Sequence, residues 1–283
     1  ASVSLRKELK HDFLKQIIFR VDFKGLLDRD VDKCISEIRE SLFNNGFVND
    51  DARVESREDQ KTKIELNLQE EDAYGNINLD TIYSFQSEDQ NESLEISKTF
   101  LKLAVAIQQN YDGFDKYVNL LAEVIVKLKS KSPFFKVIRT GLRKVNLCYI
   151  YDLKNLANYF KKGAFNISET MECMNGVSCK ASEMHTVFEK EQFLINYVRN
   201  LQEGRMMINR NPLVVYQVVL DIEAYCNDVK KCELLFKDKE VIQKTITSQN
   251  ELVFDCYVNS LSEDFKINLT EVNFQDNNIV GVH

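Results

Sequence analysis

Proline and glycine are scarce in this chain, at two and nine of 283 residues, and tryptophan is missing altogether. So few breakers exclude a collagen-like, linker-dominated or low-complexity protein. Positive charge is in deficit as well: 37 Lys and Arg stand against 44 Asp and Glu, giving a formal net charge of -7 and a sequence pI near 5.3. A molecule coated with basic side chains for bulk nucleic-acid binding is thereby excluded. No run of about 18 uninterrupted apolar residues occurs, so no membrane association through a spanning helix is expected. The richest apolar window, Leu120 to Leu128, is broken by Glu123 and Lys127. The opening residues Ala1 to Lys10 lack the apolar centre of a secretory signal. Seven cysteines, at 34, 148, 173, 179, 226, 232 and 256, form no CxxC pair. An odd number without an export signal reads as reduced thiols, and the expectation is a soluble, cytoplasmic protein.

Catalytic signatures are missing too. The sequence has no GxxxxGK[ST], GxGxxG, HExxH or GxSxG, which removes the common nucleotide hydrolases, dinucleotide enzymes, zinc proteases and α/β-hydrolases. Cys173, Cys179 and His185, with Cys226 and Cys232 further on, lack the roughly two-to-four-residue gaps of structural zinc sites, so neither a metal nor a cofactor is expected. A Cys–His nucleophile pair has no local signature behind it. Acidic runs such as Glu70-Glu71-Asp72 and Glu88-Asp89 read as solvated turns. No catalytic residue is assigned.

Hydrophobic patterning supplies the fold class. Gln16 to Phe23 alternates as a strand, with Phe19, Val21 and Phe23 on one face and Arg20 and Asp22 on the other. Asp28 or Asp30 caps a helix running to about Asn44, with the stripe Val31, Ile35, Ile38 and Leu42 and an end marked by Asn44-Asn45-Gly46. Residues 49–61 are polar and predict an exposed loop. Three strands are expected next, at Lys63–Leu68, Thr81–Phe85 and Glu92–Ala106, with turns at Ala73–Asn76 and Glu88–Asn91. Such a run predicts antiparallel pairing, not βαβ units. Phe114 to Lys129 is an amphipathic helix, Phe134 to Tyr151 one long strand, and Asp152 to Lys162 a short helix. Between Gly163 and Asn211 only a strand at Phe193–Val198 and a turn at Gln202-Glu203-Gly204 are legible. A strand from Leu213 to Tyr225 follows Pro212, helical pattern runs from about Asp228 to Leu261, and the tail is irregular. The expectation is an α+β protein, a largely antiparallel sheet with amphipathic helices. Ile18–Phe23 echoes Val218–Glu223, each an apolar strand bearing an acid and leading into a helix. The echo suggests two related halves, residues 1–132 and 133–283, packed as one unit.

One stretch departs from the acidic balance. Lys127, Lys129, Lys131, Lys136, Arg139, Arg143 and Lys144 follow one another with no Asp or Glu between Glu123 and Asp152. On a strand, Arg139, Gly141 and Arg143 share a face, the two arginine Cα atoms roughly 13 Å apart. Gly141 leaves room there for a ligand or another backbone. Arginine forks suit phosphates and carboxylates, so Lys136, Arg139, Gly141, Arg143, Lys144 and Asn146 form a candidate anion-binding set, open to a nucleotide or a nucleic-acid backbone. The competing reading pairs Arg139 and Arg143 with Asp221 and Glu223 across the sheet, Asn146 orienting either arrangement. Tyr149 and Tyr151 have the chemistry to stack bases, but tyrosines on strands more often serve packing.

Tyr111-Asp112-Gly113-Phe114 at a helix start, Arg139 to Asn146 on a strand and Val219 to Tyr225 on a later one together resemble a sporadically distributed bacterial family of uncharacterised cytoplasmic proteins. Its hallmark is an Arg-x-Gly-Leu-Arg-Tyr-x-Asn strand after a Tyr-x-Gly-(Trp/Phe) helix start. Arg139, Gly141, Leu142, Arg143 and Asn146 match it; Lys144 stands where the family has an aromatic, and residues 163–211 match poorly. The resemblance implies horizontally spread defence or mobile-element biology and no mechanism. The expected function is a non-enzymatic binding or regulatory component acting with a protein partner. The alternative is a nucleotide- or nucleic-acid-binding sensor using residues 127–144, and a cryptic enzyme comes last.

Overall fold

The computed structural model describes residues 2–56, 79–108, 113–165, 176–208 and 210–283. After a short helix α1 (Ser2–Glu8), the alternation around Phe19 builds strand β1 (Leu14–Lys24). Helix α2 (Asp28–Asn44) buries Val31, Cys34, Ile35, Ile38 and Leu42, the stripe its periodicity demands. The Leu27 N–H donates to the Asp30 carboxylate at the start of α2, and its end reverses through Gly46 at φ +94°. Strands β2 (Asn49–Ser56), β3 (Leu79–Gln86), β4 (Glu92–Ile96) and β5 (Phe100–Ala106) follow, then helix α3 (Asp115–Ser130). The second part runs β6 (Lys136–Ile150), a 3-10 turn and α4 (Leu156–Tyr159), β7 (Ala181–Lys190), β8 (Phe193–Ile208), β9 (Asn211–Cys226), α5 (Val229–Leu235), α6 (Lys239–Ser260), α7 (Glu263–Asn268) and β10 (Ile279–Val280).

Several expectations need correction. Asn49–Ser56 is a strand, not a loop; among the described residues it lies at the sheet edge, where charged side chains such as Asp50 and Arg53 are tolerated and discourage further pairing. Glu92–Ala106 is two strands, because the Ser97 hydroxyl accepts the N–H groups of Thr99 and Phe100 and turns the chain without Gly, Pro, Asn or Asp. Gln202-Glu203-Gly204 is no turn: β8 runs through it, paired with Val215 to Gln217, and the chain reverses only near Arg210 at φ +67°. Strand β7, helix α7 and β10 went unread. The expected strand Lys63–Leu68 and the turn Ala73–Asn76 lie outside the described residues.

Among the described residues the strands form one antiparallel sheet in the order β2-β3-β4-β5-β1-β6-β9-β8-β7, with β10 beside the end of β6. The fold is α+β. Strand β1 opens a path through α2 and a meander that returns beside it at β5, then α3. Strand β6 opens a similar path through α4 and a meander that returns at β9, then α5 and α6. The sheet continues across the expected division at residue 132, since β1 and β6 pair directly. Helix α3 lies against α2 and α6, α5 lies against β6, and α6 lies against β6 and β9. The covered face buries Phe19, Val21, Leu103, Leu142, Leu220 and Ile222. At one end Phe13 packs on Phe160, Tyr257 and Phe265, tying the strand entrance to the last helices. No helix among the described residues is long and apolar enough to cross a membrane.

Gly25 and Gly46 share φ +94°, but a Cβ at Gly25 would overlap the Phe134 carbonyl, whereas Gly46 faces open space. Gly46→Ala should cost only the strain of a left-handed backbone, about 1 kcal/mol, and Gly25→Ala at least ~3 kcal/mol, as read by urea denaturation. Equal costs would show that the Phe134 contact does not constrain this corner.

Candidate functional site

Strand β6 carries every residue of the candidate set and divides it between two faces. Arg139, Gly141 and Arg143 lie on the face away from the helices. There the Arg143 Nε donates to Asp221 Oδ1 at 2.7 Å, and its Nη2 donates to the other carboxylate oxygen. Arg139 donates to Glu223, has Asp22 at 3.9 Å and lies 5.4 Å from the Tyr225 ring centre. A Cβ on Gly141 would strike the Glu223 carboxylate and crowd the Arg139 guanidinium. Gly141 thus makes room for an internal ion pair. The same face continues through Arg20–Asp22 at 2.7 Å and Lys102–Glu95 at 2.6 Å. Tyr149 receives a long hydrogen bond from Gln217.

The rest of the basic run is matched as well. Lys127 and Lys131 meet Glu37 on α2, and Lys136 meets Glu233 on α5 at 3.5 Å. Lys129 donates to the carbonyls of Phe236 and Lys237 at the end of α5, where a cation suits the helix dipole. Lys144 is the exception, making no hydrogen bond or ion pair among the described residues.

Lys144 and Asn146 face the helices, beside a cavity of about 310 Å3. A bulge sets this geometry. Lys15 is an extra residue of β1 between the pairs Leu14–Asn146 and Gln16–Val145, and it swings Leu14 and Asp12 onto the helix side. Asn146 is buried and donates to the Leu220 carbonyl at 3.2 Å. Arg6, from α1, lies over the Phe254 ring at 4.4 Å and donates to the Asn250 carbonyl at 3.2 Å. The first residue of α3, Asp115, also lines the cavity. The Arg6 Nε, the Asn250 Oδ1 and the Tyr257 hydroxyl are buried without a hydrogen-bond partner. Burial, and after it the Arg6 charge, pushes the Lys144 ammonium down to about 7. Asp12 is pushed up, chiefly by burial, with the Leu14 N–H bond opposing.

The other candidates do not assemble with this site. His185, exposed on β7, shares a hydrogen bond with Asn196 of β8. Cys226 and Cys232 are buried thiols with Sγ atoms 3.8 Å apart, and burial lifts Cys232 to about 12. Cys173 lies outside the described residues. Among those described, no cluster of His, Cys, Asp and Glu has the make-up of a metal site. Arg6, Asp12, Asn250 and Tyr257 escaped the sequence reading because they come from distant segments. The available signal was Lys144 itself, a lysine in phase with Leu142, Cys148 and Ile150 on the apolar face. Comparison of the sequence with known protein families and with curated proteins finds no match.

A double-mutant cycle of Arg139→Met with Glu223→Gln should give a coupling of about 1 kcal/mol, as expected for a partly screened pair. A coupling near zero would mean that the pair is not made in solution. For Lys144 the sign follows from proton counting. Between pH 7 and 9 the unfolded chain holds a proton, at the usual lysine value of 10.5, that the folded chain has released. Wild-type stability should therefore rise with pH through this window relative to Lys144→Met, and the variant should be the more stable below pH 7. Parallel pH profiles for the two proteins would contradict the burial of this amine.

Proposed function

We propose that this protein is a binding and regulatory component, without chemistry of its own, that works with a protein partner. The observation that carries the reading is the end of the β8–β9 hairpin. Strand β7 pairs with β8 only as far as Gln202, and β6 pairs with β9 only from Tyr216 onward. Residues 205–208 and 211–214 therefore project as a two-stranded arm ~14 Å long, beyond the buried Val215. Met207, Leu213 and Val214 on this arm are exposed, Met207 at 65%. Apolar side chains held out on both faces of a projecting ribbon offer a surface that a partner can enclose. Arg205 and Arg210 lie beside them and make no ion pair among the described residues. A partner of matching chemistry presents an apolar groove with an acidic rim.

A nucleotide or nucleic-acid surface on β6 is less well supported, because Arg139 and Arg143 already hold Glu223 and Asp221. The setting in bacterial defence or mobile elements, and a cytoplasmic location, rest on the family resemblance and on sequence composition.

Native mass spectrometry of protein purified gently from its own host tests the reading, with absorbance at 260 and 280 nm read on the same sample. The wild type should carry a second polypeptide in fixed stoichiometry. The double variant Met207→Asp, Leu213→Asp should lose it while keeping its melting temperature. A wild type that runs bare or carries nucleic acid, or a variant that keeps the partner, would overturn the proposal.

A further inference from the structure

We propose that the cavity beside Lys144 binds a small organic oxyanion, a carboxylate or a phosphate carried on a short apolar body. The inference is independent of the arm and of any protein partner. It rests on donor-bearing residues from three elements that line one space. Lys144 comes from β6, Arg6 from α1 and Tyr257 from α6, and all three line the cavity. The Lys144 ammonium has no acceptor among the described residues, and neither the Arg6 Nε nor the Tyr257 hydroxyl has a hydrogen-bond partner. Tyr257 is only 5% exposed, so water does not serve its hydroxyl from bulk. Buried donors without acceptors are uncommon, and each costs stability until something accepts from it.

The carboxylates around the cavity do not fill this role. Asp12 already accepts the Leu14 N–H at 3.0 Å and stands 3.8 Å from His283. Asp115 sits in the first turn of α3, where the helix N–H groups favour a negative charge. The two cations, by contrast, repel one another: the Arg6 charge is among the causes that lower the Lys144 ammonium. An anion held between them would relieve that repulsion and supply the missing acceptors. Leu9, Leu14, Phe114 and Phe254 add apolar surface to a wall that also carries Asn146 and Asn250. At about 310 Å3 the space lies at the small end of the ~300–1,000 Å3 usual for small-molecule sites.

The groups facing Lys144 are Arg6 from α1, Asp12 from the lead-in to β1 and Asp115 from α3. With its ammonium near 7, anion binding needs a proton on Lys144 that is mostly lost above neutrality.

Calorimetric titration of the full chain with benzoate, phenyl phosphate and the neutral isostere benzamide tests the assignment. At least one of the two oxyanions should bind, and which of them binds tells carboxylate from phosphate. Benzamide should bind at least tenfold more weakly. Affinity for the bound oxyanion should fall about tenfold from pH 6 to pH 8, as Lys144 loses its proton. Lys144→Met should lose at least tenfold, and Tyr257→Phe, which removes only the hydroxyl, should lose several-fold with an unchanged circular dichroism spectrum. Benzamide binding as tightly as the oxyanions, no binding of either oxyanion at millimolar concentration, or full affinity in Lys144→Met would overturn it.

Discussion

The register of β6 is the constraint on which the rest of this molecule depends. The strand pairs with β1 along Lys136 to Asn146, with β9 along Thr140 to Ile150, and with β10 at its end. Because side chains alternate with period two, a slip of one residue would carry Arg139 and Arg143 into the helix layer and expose Leu142 and Cys148 to water. Two bulges adjust the phase where strict alternation would fail. Ile138 is an extra residue opposite β1, which lets Val137 pair with Phe23 on the apolar side while Arg139 stays on the polar side. Lys15 does the converse on β1 and so brings Leu14 and Asp12 to the cavity.

A second consequence is that charge is balanced in space and not along the chain. The basic run from Lys127 to Lys144 is an anomaly only in one dimension. Folding brings Glu37, Glu233, Asp221 and Glu223 to it from α2, α5 and β9. Such half-exposed pairs contribute little net stability each, and their stronger effect is to penalise wrong register, since a shifted strand leaves like charges adjacent. The open face is thus specified by complementarity.

The α+β class, the α2 and α3 stripes and the long β6 strand were legible because each carries a clean period of its own. Asp221 and Glu223 were legible as partners of the arginines for the same reason, being in phase on one strand. The elements that escaped lack local signal. Asn49–Ser56 is polar because a strand that is the edge among the described residues has little to bury, and the Ser97 turn uses a side-chain hydroxyl in place of a breaker. Gly204 looks like punctuation yet sits in extended backbone, with the reversal deferred to Arg210. The cavity was invisible for a different reason: Arg6, Asp12, Lys144 and Tyr257 are joined only by the topology.

The cavity also inverts the energetic logic of the open face. There the arginines of β6 and β1 are answered by carboxylates, and that part of the fold is satisfied. Beside Lys144 the chain instead holds a half-buried lysine without an acceptor among the described residues and buries a guanidinium nitrogen, an amide oxygen and a hydroxyl without partners, and folding is weaker for each of them. An apolar side chain at position 144 would fill the space at no such cost. A group that binds there and accepts from these donors would therefore act twice. It would return the lysine toward its charged form and stabilise the folded state by mass action. Occupancy, proton uptake at Lys144 and the stability of the contacts between α1, α6 and β6 are then one linked equilibrium, and a change in any one of them is felt in the other two.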